Sequence, residues 1–261
     1  MKKTIGIIGG GNMGTAILNG IRRDNVVRVA EIDKKRVQAL RKQRVVVKDL
    51  ASVAKDADII ILAVKPQSFE STLKELKMYV NKSKLIVSIA AGITCAYIEK
   101  RLGKGIRVIR TMPNLPVQVG KGITGIAKGK YAKTSDFKLA EKIFNCIGKT
   151  IAVKEKDIDA ITAISGSGPA YVYLFIEQFL KAALATGMKK KECIKLISET
   201  IEGSFALLEY EGVSPEELRK RVTSKGGTTY AALEEFRKGK SEQVFKNAVK
   251  AAKRRAKELS K

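Results

Sequence analysis

Residues 5–18, "IGIIGGGNMGTAIL", run a β-branched strand pattern into three spaced glycines and then into a helical pattern. Few arrangements restrict a fold so tightly. A strand that ends in G-x-G-x-x-G and reopens as a helix is the first βα turn of a parallel sheet, with the helix N-terminus aimed at an anion. The glycines divide the work: Gly9 permits the sharp turn, Gly11 lets a pyrophosphate approach the backbone, and Gly14 lets helix pack on strand. Free N–H groups and the positive end of the helix dipole complete the cradle. The stretch Ile8, Gly9, Gly10, Gly11, Asn12, Met13 and Gly14 is therefore expected to hold a dinucleotide; the plainer alternative is a purely structural turn.

The next 130 or so residues repeat the strand–helix alternation. "NVVRVAEI", "RVVV", "ADIIILAV", "KLIVSIA", "IRVIRTM", 122–127 and "TIAVKE" read as strands, and 12–23, 34–43, 67–80, 93–102 and the segment up to 147 as helices. Such alternation indicates βαβ units and a parallel sheet. Past residue 154 no strand pattern survives. Apolar residues recur at helical spacing through 157–164, 168–186, 189–210, 214–222, 228–238 and 241–259, broken at "SGSGP", "TGM", "EGVSP", "SKGG" and "GKS". The expected fold is α/β: an N-terminal Rossmann domain with a doubly wound parallel sheet (1–154), then an all-helical C-terminal domain (155–261). The helix from 169 to 186 is apolar nearly all round and has to be buried. A second copy of the chain is the expected cover, which makes the helical part a dimerisation domain; the alternative is a monomer with this helix at the centre of a bundle.

Composition removes several chemistries. The chain has no histidine, so Ser-His catalysis and zinc-His sites are excluded. Its three cysteines, Cys95, Cys146 and Cys193, lie far apart without metal spacing, so no metal is expected, and a reducing cytoplasm fits. The net charge is +25, with 30 Lys/Arg against 11 Asp/Glu in residues 1–150. The lysines are scattered and not interleaved with aromatics, and no recognition motif accompanies them, so nucleic acid is not the expected partner. They form a solvated surface that also attracts anions. No apolar run reaches the roughly 20 residues of a membrane span, and "MKKTIGIIGGG" lacks the pattern of a signal peptide, so no membrane is expected either.

Ligands of open parallel sheets bind at the C-terminal strand edge. That edge recruits Ala63, Val64, Lys65 and Pro66 of "AVKPQ", Ala91 after "KLIVSIA", and Met112, Pro113 and Asn114 of "RTMPNLP", whose prolines make a rigid wall for a nicotinamide. Each is also readable as a strand-end turn. Glu31, 17 residues past Gly14 at the end of the second strand, is placed to bond the ribose hydroxyls of NAD and to repel a 2′-phosphate. Lys34, Lys35 and Arg36 follow at once and would neutralise that phosphate, while Asp33 has the position of a helix cap. The two signals conflict, and both NADP(H) and NAD(H) stay open.

Taken in order, "GGGNMG", "AVKPQ", "RTMPNLP", "AISGSGPAYVY" and "SKGGTTYAAL" resemble the pyrroline-5-carboxylate reductases along the whole chain. "SGSGPAY" and "GGTT" are the specific parts; the first motif is shared by many dehydrogenases. The resemblance implies reduction of 1-pyrroline-5-carboxylate to L-proline, the last step of proline biosynthesis, by a homodimer or a ring of dimers. It also implies that Ser224, Gly226, Gly227, Thr228 and Thr229 cradle the substrate carboxylate, with Thr229 donating to the ring nitrogen as the candidate catalytic group; an ordinary helix N-cap is the alternative for Thr229. By spacing it sets Glu155 near the substrate, where a carboxylate pairs with the iminium; the plainer alternative is a solvated charge. Ser165, Gly166 and Ser167 would cap the long helix at the subunit contact. The chain departs from the family at Leu115, where threonine is usual, at Lys225, where proline is usual, and at Glu31 and Ile32, where strand two commonly ends in polar residues followed by arginine.

Reduction of a cyclic imine is easiest on the protonated iminium, whose charge disappears as the C–H bond forms. Positioning therefore dominates, and a chain without histidine loses nothing essential. The competing readings are a Rossmann reductase of the 3-hydroxyacid dehydrogenase type and a non-catalytic NAD(P)-binding protein. The first typically carries a catalytic lysine with a companion asparagine on a later helix; the second needs no carboxylate turn.

Overall fold

The computed structural model describes residues 3–260. They fall into two compact units, one of residues 3–169 with 251–260 and one of residues 170–250.

The first unit follows a strand–helix rhythm. It begins β1 (Thr4–Ile8), α1 (Asn12–Ile21), β2 (Val26–Ala30), α2 (Lys34–Lys42), β3 (Val46–Lys48), α3 (Leu50–Asp56) and β4 (Ile59–Leu62). It continues α4 (Phe69–Leu76), β5 (Leu85–Ser88), α5 (Cys95–Leu102), β6 (Arg107–Met112), β7 (Gly122–Lys128), α6 (Thr134–Asn145) and β8 (Gly148–Ala152). The strands form one sheet in the order β3-β2-β1-β4-β5-β6-β7-β8. Chain order reverses at β1, which pairs parallel with both β2 and β4, and the glycine turn leaves the sheet there. Strands covered on both faces read as unbroken apolar runs. Accordingly Ile59, Ile60, Ile61 and Leu62 are all fully buried, Ile59 and Ile61 in one core with Ile17, Ile21 and Phe144, Ile60 and Leu62 in the other with Phe69, Leu73 and Ile98.

Two features depart from the sequence pattern. β7 runs antiparallel to β6, so the sheet is parallel-dominated and not wholly parallel. The link from Met112 to Gly122 holds two prolines and one 3-10 turn (Leu115–Val119), too short for the crossover that a parallel pair requires. Parallel pairing resumes between β7 and β8, where α6 makes the crossover. The short α3 was not foreseen; Asp49 caps it, accepting from Ser52 N at 2.8 Å.

After β8 the unit continues through α7 (Ile158–Ile161) and a π-helical turn (Thr162–Gly166) into α8 (Gly168–Leu184). The compact units therefore keep residues 155–169 with the sheet. Four more helices follow: α9 (Lys190–Glu211), α10 (Pro215–Arg221), α11 (Thr228–Lys238) and α12 (Ser241–Glu258). The end of α12 belongs to the first unit, where the Leu259 carbonyl covers Gly92 and Ser260 Oγ lies 3.4 Å from Asp159 Oδ1. The second unit buries little of its own surface. No residue of α8 is buried, and in α9 only Cys193 and Ile197 are. Among the described residues, no helix is long and apolar enough to cross a membrane.

Candidate active site

The glycine turn is held at successive points. Gly9 has φ +105°, and its N–H donates to the Ala30 carbonyl at 2.8 Å. A Cβ there would lie 2.7 Å from the Ala63 carbonyl oxygen, so β4 closes on the turn from the other side. A Cβ on Gly14 would lie 2.1 Å from the Gly9 carbonyl oxygen, which fixes glycine where α1 crosses the turn. At Gly11, by contrast, a Cβ would meet only Arg36 Nη1, at 3.5 Å. Gly11 is the N-cap of α1, with no side-chain cap and no acid in the first turn. The opening N–H groups of α1, from Asn12 to Gly14, have no acceptor within the helix. A pyrophosphate matches these donors, so the residues present suit a dinucleotide.

Glu31, just past β2, turns inward. Its carboxylate accepts from Gly10 N at 2.7 Å, Ile32 N at 2.8 Å and Asp33 N at 2.9 Å. Asp33 caps α2 by accepting from Arg36 N at 2.9 Å. Lys34, Lys35 and Arg36 are exposed.

The other expected cofactor residues occupy the C-terminal strand edge. Ala63 and Val64 leave β4 half-buried, and the Ala63 N–H donates to the Ile8 carbonyl at 2.8 Å. Lys65 and Pro66 are exposed, with Pro66 opening a 3-10 turn. Ala91 follows β5 and packs with the buried Met112. Pro113 and Asn114 are buried after β6; Asn114 Oδ1 accepts from Ile123 N at 2.9 Å, so this side chain ties the proline loop to β7.

Beneath that loop lies a charged cluster that sequence reasoning did not find. Arg110 of β6 is 2% exposed, with Nη1 at 3.6 Å from Glu155 and Nη2 at 3.3 Å from Asp159. Glu155 Oε1 also accepts from Cys95 N at 2.6 Å, satisfying a free donor at the start of α5. The carboxylate expected to meet the iminium is thus engaged by Arg110 and the α5 backbone. Burial, reinforced by the Glu155 carboxylate, pushes the Cys95 thiol far above its ordinary range, so it stays protonated. The signal available was a second arginine in the interior of β6, between Ile109 and Thr111.

In the second unit, Ser224, Gly226 and Gly227 form the turn between α10 and α11. Gly226 has φ +71°, a left-handed value that favours glycine. Gly227 N–H closes the turn on the Ser224 carbonyl at 3.1 Å, and a Cβ on Gly227 would lie 2.5 Å from Ser224 Oγ. Gly227 is the N-cap of α11, again without a side-chain cap or a first-turn acid. Thr228 and Thr229 open the helix, Thr228 exposed and Thr229 half-buried. By contrast α2, α3, α5 and α10 are capped by Asp33, Asp49, Thr94 and Ser214. Each unit therefore has one long glycine-capped helix start with free donors.

Comparisons with known proteins agree with this layout. The family model described as "Pyrroline-5-carboxylate reductase dimerisation" matches residues 155–259, and that described as "NADP oxidoreductase coenzyme F420-dependent" matches residues 4–92. The pyrroline-5-carboxylate reductase of Methanosarcina acetivorans is 38% identical over 98% of this chain and 98% of its own length. That of Arabidopsis thaliana is 35% identical over 98% and 95%. The crystal structure of the Plasmodium falciparum pyrroline carboxylate reductase with NADP bound has a TM-score of 0.92 at 32% identity, covering 99% of this chain and 98% of that one. Similarity of this extent, end to end and over both units, shows that the chain belongs to the pyrroline-5-carboxylate reductase family.

Proposed function

We propose that the chain reduces 1-pyrroline-5-carboxylate to L-proline with NADPH or NADH, completing proline biosynthesis in the cytoplasm. The observation that carries the reading is the pair of glycine-capped, acid-free helix starts, one per unit. In this family, two anions have to be held: the pyrophosphate of the cofactor and the carboxylate of the substrate.

The roles follow from the donors. Gly9 through Gly14 hold the pyrophosphate, while Ala63, Val64, Lys65, Pro66 and Ala91 line the path of the cofactor along the sheet edge. Met112, Pro113 and Asn114 back the nicotinamide. When bound, the cofactor supplies the hydride. Residues 155–261 make up the dimerisation and substrate-binding part. There Ser224, Gly226, Gly227 and Thr228 present backbone and hydroxyl donors to the carboxylate, and the Thr229 hydroxyl orients the ring nitrogen. A threonine hydroxyl is a poor acid, so Thr229 orients an iminium that arrives protonated. Glu155 acts through Arg110 and the start of α5, positioning the proline loop. The assembly is a homodimer, which forms a ring of dimers.

The test follows NADH and NADPH oxidation with 1-pyrroline-5-carboxylate. Turnover with at least one cofactor is expected; a folded preparation that binds cofactor yet turns over with neither sinks the assignment. Thr229→Ala should lower kcat by about tenfold, the worth of one directed hydrogen bond, with cofactor affinity unchanged. A kcat equal to that of the unaltered enzyme would remove Thr229 from the mechanism.

A further inference from the structure

Glutamate at the end of the second strand ordinarily reads as the acceptor for the ribose diol of NAD and as a charge that repels the 2′-phosphate of NADP. The geometry around Glu31 does not suit that role. We propose that Glu31 is a positioning residue: it holds the glycine turn in the shape that receives the cofactor, and it does not choose between NADPH and NADH. The proposal rests on the dinucleotide reading above and assigns one residue's part in it.

Glu31 has a side-chain exposure of only 6%. A carboxylate offers about four acceptor sites. Backbone N–H groups of Gly10, Ile32 and Asp33 take three of them at 2.7, 2.8 and 2.9 Å, and Arg36 Nη1 stands 3.9 Å from Oε2. Bonding both ribose hydroxyls would require breaking bonds that close the turn. The same donors and the guanidinium compensate the carboxylate charge, so little of it is left to repel a phosphate.

Gly10 supplies an independent observation. The dinucleotide pattern leaves this position free, yet a Cβ there would lie 2.7 Å from Leu40 Cδ1 and 3.2 Å from Glu31 Oε2. A side chain at this position would displace the Leu40 side chain of α2 and crowd the Glu31 carboxylate, both of which lie against the turn. On its other side the Gly10 carbonyl accepts from Thr15 Oγ1 at 3.0 Å, and the preceding Gly9 N–H is held by Ala30. The peptide that sets Gly11 at the head of α1 is thus fixed from strand, helix and carboxylate together. Its Glu31 bond is the one that also joins it to the β2–α2 turn.

The experiment compares Glu31→Ala and Glu31→Gln with the unaltered protein by titrating NADPH and NADH binding through cofactor fluorescence. Backbone hydrogen exchange at Gly10, Ile32 and Asp33 and steady-state kinetics accompany it. In Glu31→Ala both affinities should fall by about tenfold, while their ratio holds within about twofold. The KM for each cofactor should rise with kcat nearly unchanged, and exchange at the three amides should accelerate. Glu31→Gln keeps one acceptor oxygen and should recover part of the affinity; it also decides the matter if the alanine variant does not fold. A shift of the NADPH-to-NADH ratio by tenfold or more would show that Glu31 reads the ribose and overturn the proposal, as would unchanged affinities and exchange. Binding and exchange need no pyrroline substrate, so failure of the substrate assignment is seen separately, as absent turnover.

Discussion

At the scale of single residues, Arg110 is a buried charge of the first unit held by two carboxylates. Its guanidinium is held out of water between Glu155 and Asp159, and its Nε finds no hydrogen-bond partner. A buried ion pair contributes little over a well-packed apolar pair, but removing one partner strands the others. Arg110→Met should therefore cost about 3–5 kcal/mol, because two carboxylates lose their counter-charge together. The check is urea denaturation at neutral pH. A loss below about 1 kcal/mol, the range of an exposed pair, would show that water already screens the cluster. Because β6 runs directly from Arg110 into Met112 and the proline loop, the same variant should also bind the cofactor less tightly.

At the scale of elements, the cap decides what a helix start can do. Asp33, Asp49, Thr94 and Ser214 each accept one first-turn N–H of α2, α3, α5 and α10 with their own oxygens and set an oxygen where a ligand anion would sit. Gly11 and Gly227 provide none, so α1 and α11 keep donors free. The α1 start also depends on close packing. Gly14→Ala would drive a methyl to within 2.1 Å of the Gly9 carbonyl oxygen, so either the turn opens or α1 withdraws. Cofactor affinity should drop by more than tenfold in a protein that still folds, as read by calorimetric titration; unchanged binding would mean the turn tolerates displacement. This start was legible in the sequence because glycine spacing, strand and helix fall within one short stretch. β4 was legible as an unbroken apolar run, and the other strands as short β-branched runs between turn residues. The antiparallel direction of β7 was not, because hydrophobic pattern is blind to direction; only the two-proline link betrays it. α3 buries just Val53 and Ala54, too little for a periodic signal. The partners of Arg110 lie 45 and 49 residues away in sequence, and only the fold brings them under one strand. The inward turn of Glu31 likewise depends on where Gly10 N–H points, which no spacing rule reveals.

At the scale of the whole molecule, the helical unit presents an apolar surface its own chain does not cover. Along α8, Val172, Tyr173, Leu174, Phe175 and Phe179 are each 41–54% exposed, and Phe205, Phe236 and Phe245 on later helices reach 56–60%. A monomer with α8 at the centre of a bundle is ruled out by that exposure, since no residue of α8 is buried. Contiguous apolar area on this scale marks an association surface. The family model matching residues 155–259 is named for dimerisation, which gives the cover its identity as a second copy. If folding and association are coupled, stability depends on protein concentration. Each tenfold dilution should then lower the apparent stability of the dimer by about 1.4 kcal/mol, and the thermal midpoint should fall with it. Light scattering should return at least twice the chain mass. Replacing Phe175 and Phe179 by glutamate, which sets two charges into the α8 face, should shift the mass to that of a single chain and abolish turnover, while cofactor binding by the glycine turn survives. A midpoint independent of concentration together with a single-chain mass for the unaltered protein would refute the dimer.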